Sequence, residues 1–210
     1  MTSFDITIDE GAFLVKFARK TIETYINNRR KLDLPKEGIS KELMKKCGAF
    51  VTLNKLVEGH KQLRGCIGII EGRYSLLEVV RDVAISAAVE DPRFYPVEPQ
   101  EMKEVVIEVS VLTPPKLLEG KKVDAPKSIE VGKHGLIIES GWYKGLLLPQ
   151  VATEYSWNAE EFLSQTCIKA GFPPDAWLLP DTRIYAFEAI IFAEEEPKGK
   201  VVRLALPSCK

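Results

Sequence analysis

Histidine is scarce in this chain: there are two in 210 residues, His60 and His134, so any imidazole chemistry falls to those two. Four cysteines, at 47, 66, 167 and 209, form no Cys-x-x-Cys and have no histidine at metal spacing, which argues against a structural zinc site and leaves no metal site to assign. An excess of basic charge is also missing. With 29 Lys and Arg against 30 Asp and Glu, the net charge is -1, and the positive field that neutralises phosphates in nucleic-acid binders is absent overall. No stretch approaches the ~20 apolar residues of a membrane-spanning helix, and no N-terminal run pairs a basic segment with an apolar one. The chain reads as cytoplasmic, with reduced thiols, and neither nucleic acid nor membrane is an expected partner. Only eight residues are Asn or Gln, a bias that accompanies heat tolerance.

What is present is enough to build a stable core. At 45% hydrophobic and 28% charged, a chain this long buries roughly 70% of the surface its unfolded form exposes. Its length fits one large domain or two small lobes.

Apolar residues at Phe13, Leu14, Phe17, Ala18, Ile22, Tyr25 and Ile26 recur at the spacing of a one-faced helix, predicted from Ile8 to Asn27. The basic run Asn27 to Lys31 is its solvated end. A loop follows at 33–38, then a short helix starting at Ser40 and stopped by Gly48. Ala49–Leu53 and Cys66–Ile70 read as two antiparallel strands with a longish loop between them. Ser75 and Glu78 have capping-box spacing, and a helix runs from there to about Val89, where Asp91-Pro92 ends it. The small residues Ala84, Ala87 and Ala88 on its face predict the close approach of another backbone or sheet.

Val105–Thr113 alternates and is β-branched, so it reads as a strand stopped by Pro114-Pro115. Residues 116–127 read as a loop. Ile129–Val131, Leu136–Glu139 and Gly145–Leu148 are further strands, most simply a meander. Residues 148–157 then form a loop into a helix opened by a capping box at Asn158 and Glu161 and closed by Gly171. Arg183–Phe192 is the last strand, before a charged, ragged tail. The expected fold class is α+β, a mainly antiparallel sheet flanked by helices.

Candidate chemistry centres on Arg64-Gly65-Cys66-Ile67-Gly68. Between two glycines the Cys66 backbone is free to turn tightly or to approach a ligand, and Arg64, two residues earlier, shares its face on a regular strand and would stabilise a thiolate. The alternative is a small buried hydrophobe, with Gly65 and Gly68 marking a bulge. The lack of a Lys-Ser or Lys-Thr ending excludes a phosphate loop.

Arg93 in Asp91-Pro92-Arg93-Phe94 either pairs with Asp91 or holds an anionic ligand. Glu108 and Ser110 share one strand face, lining a pocket or simply facing solvent. His134, in the turn Gly132–Gly135, is a candidate base for Cys66, as is His60. Gln150 and Glu154 are candidate pocket-wall groups or caps.

Together these segments resemble one family, named after the candidate gene of the AMME chromosomal region and known by the hexapeptide Leu-Arg-Gly-Cys-Ile-Gly. It stands here at Leu63–Gly68. The resemblance continues through 48–53, 91–94, 107–112, 132–136 and 145–152, nearly the whole chain. It implies an α+β domain over 1–210 formed of two unequal, interleaved lobes, with the hexapeptide near their interface. It supplies no established reaction and names no cofactor. In some prokaryotes relatives are fused to, or encoded beside, a Memo-like protein and a radical S-adenosylmethionine enzyme, which implies a functional association with both.

Two functions follow. One is an enzyme or modification factor with Cys66 as nucleophile, Arg64 on an anionic group, and Glu108 or His134 moving a proton. The other is a binding or scaffold module in which the turn shapes a groove.

Overall fold

The computed structural model describes residues 5–70 and 72–204. The chain is α+β and its strand pairings are antiparallel. It divides into two compact units. The first holds residues up to Leu112 together with Ile190–Leu204, and the second holds Thr113–Ala189. Cys209 and the end of the expected tail lie outside the described residues.

In the first unit, helix α1 (Ile8–Asn28) starts on Thr7, whose side chain and Glu10 form a reciprocal capping box. It is followed by strands β1 (Ala49–Val57) and β2 (His60–Ile69), helix α2 (Leu76–Val89) and strand β3 (Val105–Leu112). Strand β1 lies between β2 and β3, so β2 is an edge. One face of these strands carries Val51, Leu53, Ile107 and Val109, all fully buried in the same apolar cluster as the inner residues of α1 and α2. The other face carries Phe50, Thr52, Cys66 and Glu108, all half-buried.

The second unit contains β4 (Lys116–Leu117), β5 (His134–Ser140), β6 (Tyr143–Leu147), α3 (Pro149–Glu154) and α4 (Ala159–Lys169). Strand β7 (Arg183–Glu194) starts in this unit and ends in the first, where it pairs with β8 (Val201–Leu204). A separate cluster, built on Leu136, Ile138, Phe162, Leu163 and Cys167, forms the core of the second unit.

Several expectations need correction. The polar stretch after Leu53 is no loop. Strands β1 and β2 run on to a two-residue turn at Glu58-Gly59, both with positive φ (52° and 79°), the backbone of a tight hairpin. The tip of this hairpin lies outside the core, and its polar residues hide the strand signal. Residues 41–46 form isolated turns instead of a helix.

Ile129–Val131 is not a strand, since the chain leaves a 3-10 segment there and turns at Gly132 (φ 88°). The expected three-strand meander loses its first strand with it and keeps only the antiparallel β5–β6 pair, with β7 on the other side of β5. Residues 149–154 form a helix with Pro149 at its first turn, where a missing N–H costs nothing. The tail after Phe192 is the β7–β8 hairpin as far as Leu204.

A buried ion pair inside the first unit escaped the sequence reading altogether. Arg19 of α1 donates through Nε to Glu194 Oε1 at 2.6 Å and through Nη2 to Glu194 Oε2. Its remaining donors reach the carbonyls of Met102 and Val105 at 3.1 and 2.6 Å, and Glu194 also accepts the Ile107 amide at 2.9 Å. The pair thus ties α1, β3 and β7 together with most of its polar atoms satisfied.

Candidate functional site

The hexapeptide Leu63–Gly68 lies on β2, and its register explains its glycines. Leu53 pairs with Gly65 while Asn54 pairs with Leu63, so Arg64 is the extra residue of a β-bulge. A β-carbon on Gly65 would sit 2.2 Å from the Ala87 carbonyl oxygen of α2. Helix and strand therefore meet backbone to backbone, the approach that the alanine face of α2 predicted. On Gly68 a β-carbon would meet the Phe50 ring at 2.2 Å, because that ring lies across the glycine. Packing alone accounts for both glycines.

At the bulge Arg64 is taken up by Glu101. The Arg64 Nε and Nη2 bind both oxygens of Glu101, at 2.9 and 3.0 Å, and Nη1 is buried with no hydrogen-bond partner among the described residues. The expected pairing of Arg64 with a Cys66 thiolate is therefore not what this geometry provides, since a bulge breaks the alternation that would put the two on one face.

Cys66 and Thr52 form a cross-strand pair, and Thr52 Oγ1 donates to Cys66 Sγ at 3.3 Å. On its other side Thr52 is paired with Glu108, so thiol, hydroxyl and carboxylate residues stand in one row across three strands. Ser110, one row along beside Phe50, is 1% exposed. Of the Glu108–Ser110 pair, then, Ser110 is buried and Glu108 is half-buried.

The backbone of Cys66 is held from the open side of the edge strand. Its N–H donates to Asp91 Oδ2 at 2.8 Å, and its carbonyl accepts from Arg93 Nη2 at 3.3 Å. Asp91 in turn takes Arg93 Nε at 3.0 Å, Arg93 Nη2 at 2.7 Å and the Arg93 amide at 3.1 Å. Asp91 and Arg93 thus act as a clamp that caps the sheet edge at this one residue. The hydrogen bonds from Arg93 hold the Asp91 carboxyl well below the usual carboxylate range, despite its burial.

Arg93 keeps a half-exposed side chain. Its guanidinium carbon and that of Arg64 lie 5.4 and 5.9 Å from the Phe94 ring centroid, within cation–π range. Beside them Tyr95 is 91% exposed.

These surroundings do not activate the thiol. Burial pushes the Cys66 thiol up from its ordinary value, the Thr52 hydrogen bond and the Arg93 charge oppose that, and Glu108 and Asp91 add to it.

From residue 15 to residue 192 the chain matches the AMMECR1 family. The chain belongs to the AMMECR1 family. A protein of Thermococcus gammatolerans is 54% identical over 197 residues, 93% of this chain and 96% of that one. A Methanocaldococcus jannaschii protein is 47% identical over 205 residues, 96% of this chain and 98% of its own. The crystal structure of an uncharacterized protein from Pyrococcus horikoshii, PH0010, is 49% identical, with a TM-score of 0.90 over 96% of this chain and 99% of that one.

In this AMMECR1 chain, Cys66, Thr52 and Glu108 share one row of the first unit, and Asp91 and Arg93 hold the Cys66 backbone there. His134 opens β5 in the second unit, where Nδ1 accepts the Glu130 amide at 3.1 Å and burial holds its pKa down. Gln150 and Glu154 lie on α3 in the same unit. The Gln150 Oε1 is buried with no hydrogen-bond partner among the described residues, whereas Glu154 is exposed.

The sequence reading overlooked Thr52, Glu101 and Phe94. Only Phe94 carried a signal, its place next to Arg93. Among the described residues no cluster of three or more His, Cys, Asp or Glu is placed to hold a metal ion, and no helix is long and apolar enough to cross a membrane.

Proposed function

We propose that this chain is a binding module for a protein or peptide partner, with its site at the Cys66–Thr52–Glu108 row and Arg93 at the rim. The observation that supports this reading is the setting of the thiol: a neutral hydroxyl donates to it, burial raises its pKa, and the Arg64 guanidinium that nucleophilic activation called for is held by Glu101. Arg93, Phe94 and Tyr95 offer a half-exposed guanidinium beside aromatic surface, which suits an acidic side chain flanked by apolar ones. A Memo-like protein and a radical S-adenosylmethionine enzyme are the proposed partners, and a cytoplasm that keeps thiols reduced is the proposed setting.

The test is direct binding of the purified chain to each purified partner. Arg93→Gln weakens capture about tenfold or more, since one charge-assisted contact is lost, and Cys66→Ser binds as the parent does. Absence of binding to both partners, or equal binding by the Arg93 variant, sinks the reading.

A second reading, an enzyme with Cys66 as nucleophile, draws support from Glu108. This carboxylate stands in the Cys66 row and its charge acts on the thiol. A ligand would have to lower the thiol pKa so that the proton passes to Glu108. Loss of the cellular function in Cys66→Ser, with partner capture intact, favours it.

A further inference from the structure

His134 finds no part in the site above, yet it lines a notch of its own. In the second unit a cavity of about 140 Å³ is bordered by His134, Lys116, Glu188 and Thr113, with Leu118 and Ala186 among its apolar lining. A cavity of ~150 Å³ takes up benzene, so this one has room for a ligand of about six heavy atoms.

Register puts its charged groups on one sheet face. Glu188 on β7 pairs with His134 on β5, and Ala186, two residues earlier, pairs with Lys116 on β4. Because His134 Nδ1 accepts the Glu130 amide, the neutral ring carries its proton on Nε2 and offers it as a donor. Thr113 fixes the Glu188 backbone: its Oγ1 accepts the Glu188 amide at 2.8 Å and its own amide reaches the Glu188 carbonyl at 2.9 Å. Glu188 meets Lys133 only at 3.9 Å, and Lys133 is closer to Glu130, at 3.2 Å.

The lining therefore holds one full positive charge, one full negative charge and a neutral imidazole donor. A dianion such as phosphate would face the Glu188 carboxylate, and a lone cation would face Lys116. A ligand with both charges satisfies both sides.

We propose that this notch binds a small zwitterion of amino-acid size, with its carboxylate on Lys116 and the His134 Nε2–H and its ammonium on Glu188.

With only two histidines in the chain, the imidazole proton resonances report on the site directly. L-alanine, acetate, methylammonium and inorganic phosphate are titrated separately into the full chain. L-alanine produces a saturable shift of the His134 resonances and leaves His60 unmoved. Lys116→Met and Glu188→Gln each weaken it about tenfold or more, while Arg93→Gln leaves it unchanged, which keeps this result independent of the partner-binding reading.

The proposal is overturned if L-alanine gives no saturable shift. It is equally overturned if acetate, methylammonium or phosphate saturates the site at the same concentration, or if Glu188→Gln binds L-alanine as tightly as the parent. Unfolding temperatures of both variants confirm that a lost shift is not a lost fold.

Discussion

Replacing Asp91 by Asn changes one atom in the clamp and reverses half of its hydrogen bonding. The carboxylate accepts four donors: Oδ1 takes the Arg93 amide and Nε, and Oδ2 takes the Cys66 amide and Arg93 Nη2. A carboxamide keeps one oxygen, so in either orientation two donors face an NH2 group. Hydrogen bonds to a charged group contribute about 1.5–3 kcal/mol each, and breaking a buried pair costs about 3–5 kcal/mol. Arg93 is half-exposed and regains water, so the lower end applies, about 3 kcal/mol. In a chain of this size that lowers the unfolding temperature by about 6–12 °C at pH 7.

The effect also has a pH signature. The folded Asp91 pKa lies below its unfolded value of about 3.9, so its contribution is fully present above that value and is lost as pH falls through the folded one. Parent and Asp91→Asn chains therefore converge in strong acid. The assay is thermal unfolding by circular dichroism from pH 7 to pH 2, with hydrogen exchange at the Cys66 amide as a local readout. Equal melting temperatures at pH 7, a gap that persists unchanged at pH 2, or an unaltered Cys66 exchange rate would refute the clamp.

Two further outcomes follow from the same contacts. Glu194→Gln takes the paired carboxylate from the buried Arg19, leaving Glu23 Oε1 at 3.8 Å from Nη1 as a weaker counter-charge, and costs about 3 kcal/mol, the lower end for a broken buried pair, read from urea unfolding; a loss under 1 kcal/mol contradicts the network. Gly65→Ala puts a β-carbon 2.2 Å from the Ala87 carbonyl, and the α2 helix has to move at a cost of about 1–3 kcal/mol. Unchanged stability there disproves the close helix–strand contact, and any loss of partner capture in a Gly65 variant has to be separated from this loss of fold.

Elements set by short-range chemistry were legible. The Ser75–Glu78 and Asn158–Glu161 boxes open α2 and α4 as expected, because each cap satisfies its own amides locally. The apolar stripe from Phe13 to Ile26 gave α1. The β1–β2 hairpin was half-missed because its tip buries nothing, and Ile129–Val131 was misread because β-branching favours a strand only where a neighbour is there to pair with it.

At the site, Arg93 with Asp91 was anticipated as one of two choices. The Arg64–Cys66 pairing failed at the bulge, which follows from how β2 registers against β1 across the Leu53–Asn54 step. Glu101 lies 37 positions from Arg64 in the chain, and Glu194 lies 175 from Arg19. No local pattern announces such partners, since each is chosen by the fold.

Whether Cys66 is an activated nucleophile is decided by its rate of iodoacetamide labelling across pH, resolved by peptide mass spectrometry. A thiol whose pKa is raised by burial reacts with a midpoint above that of an ordinary thiol, as do Cys47 and Cys167, whose burial pushes them up to about 12 and about 11. A midpoint below about 8, under the ordinary cysteine value of about 8.5, would mean an activated nucleophile at Cys66 and would contradict the binding-module account.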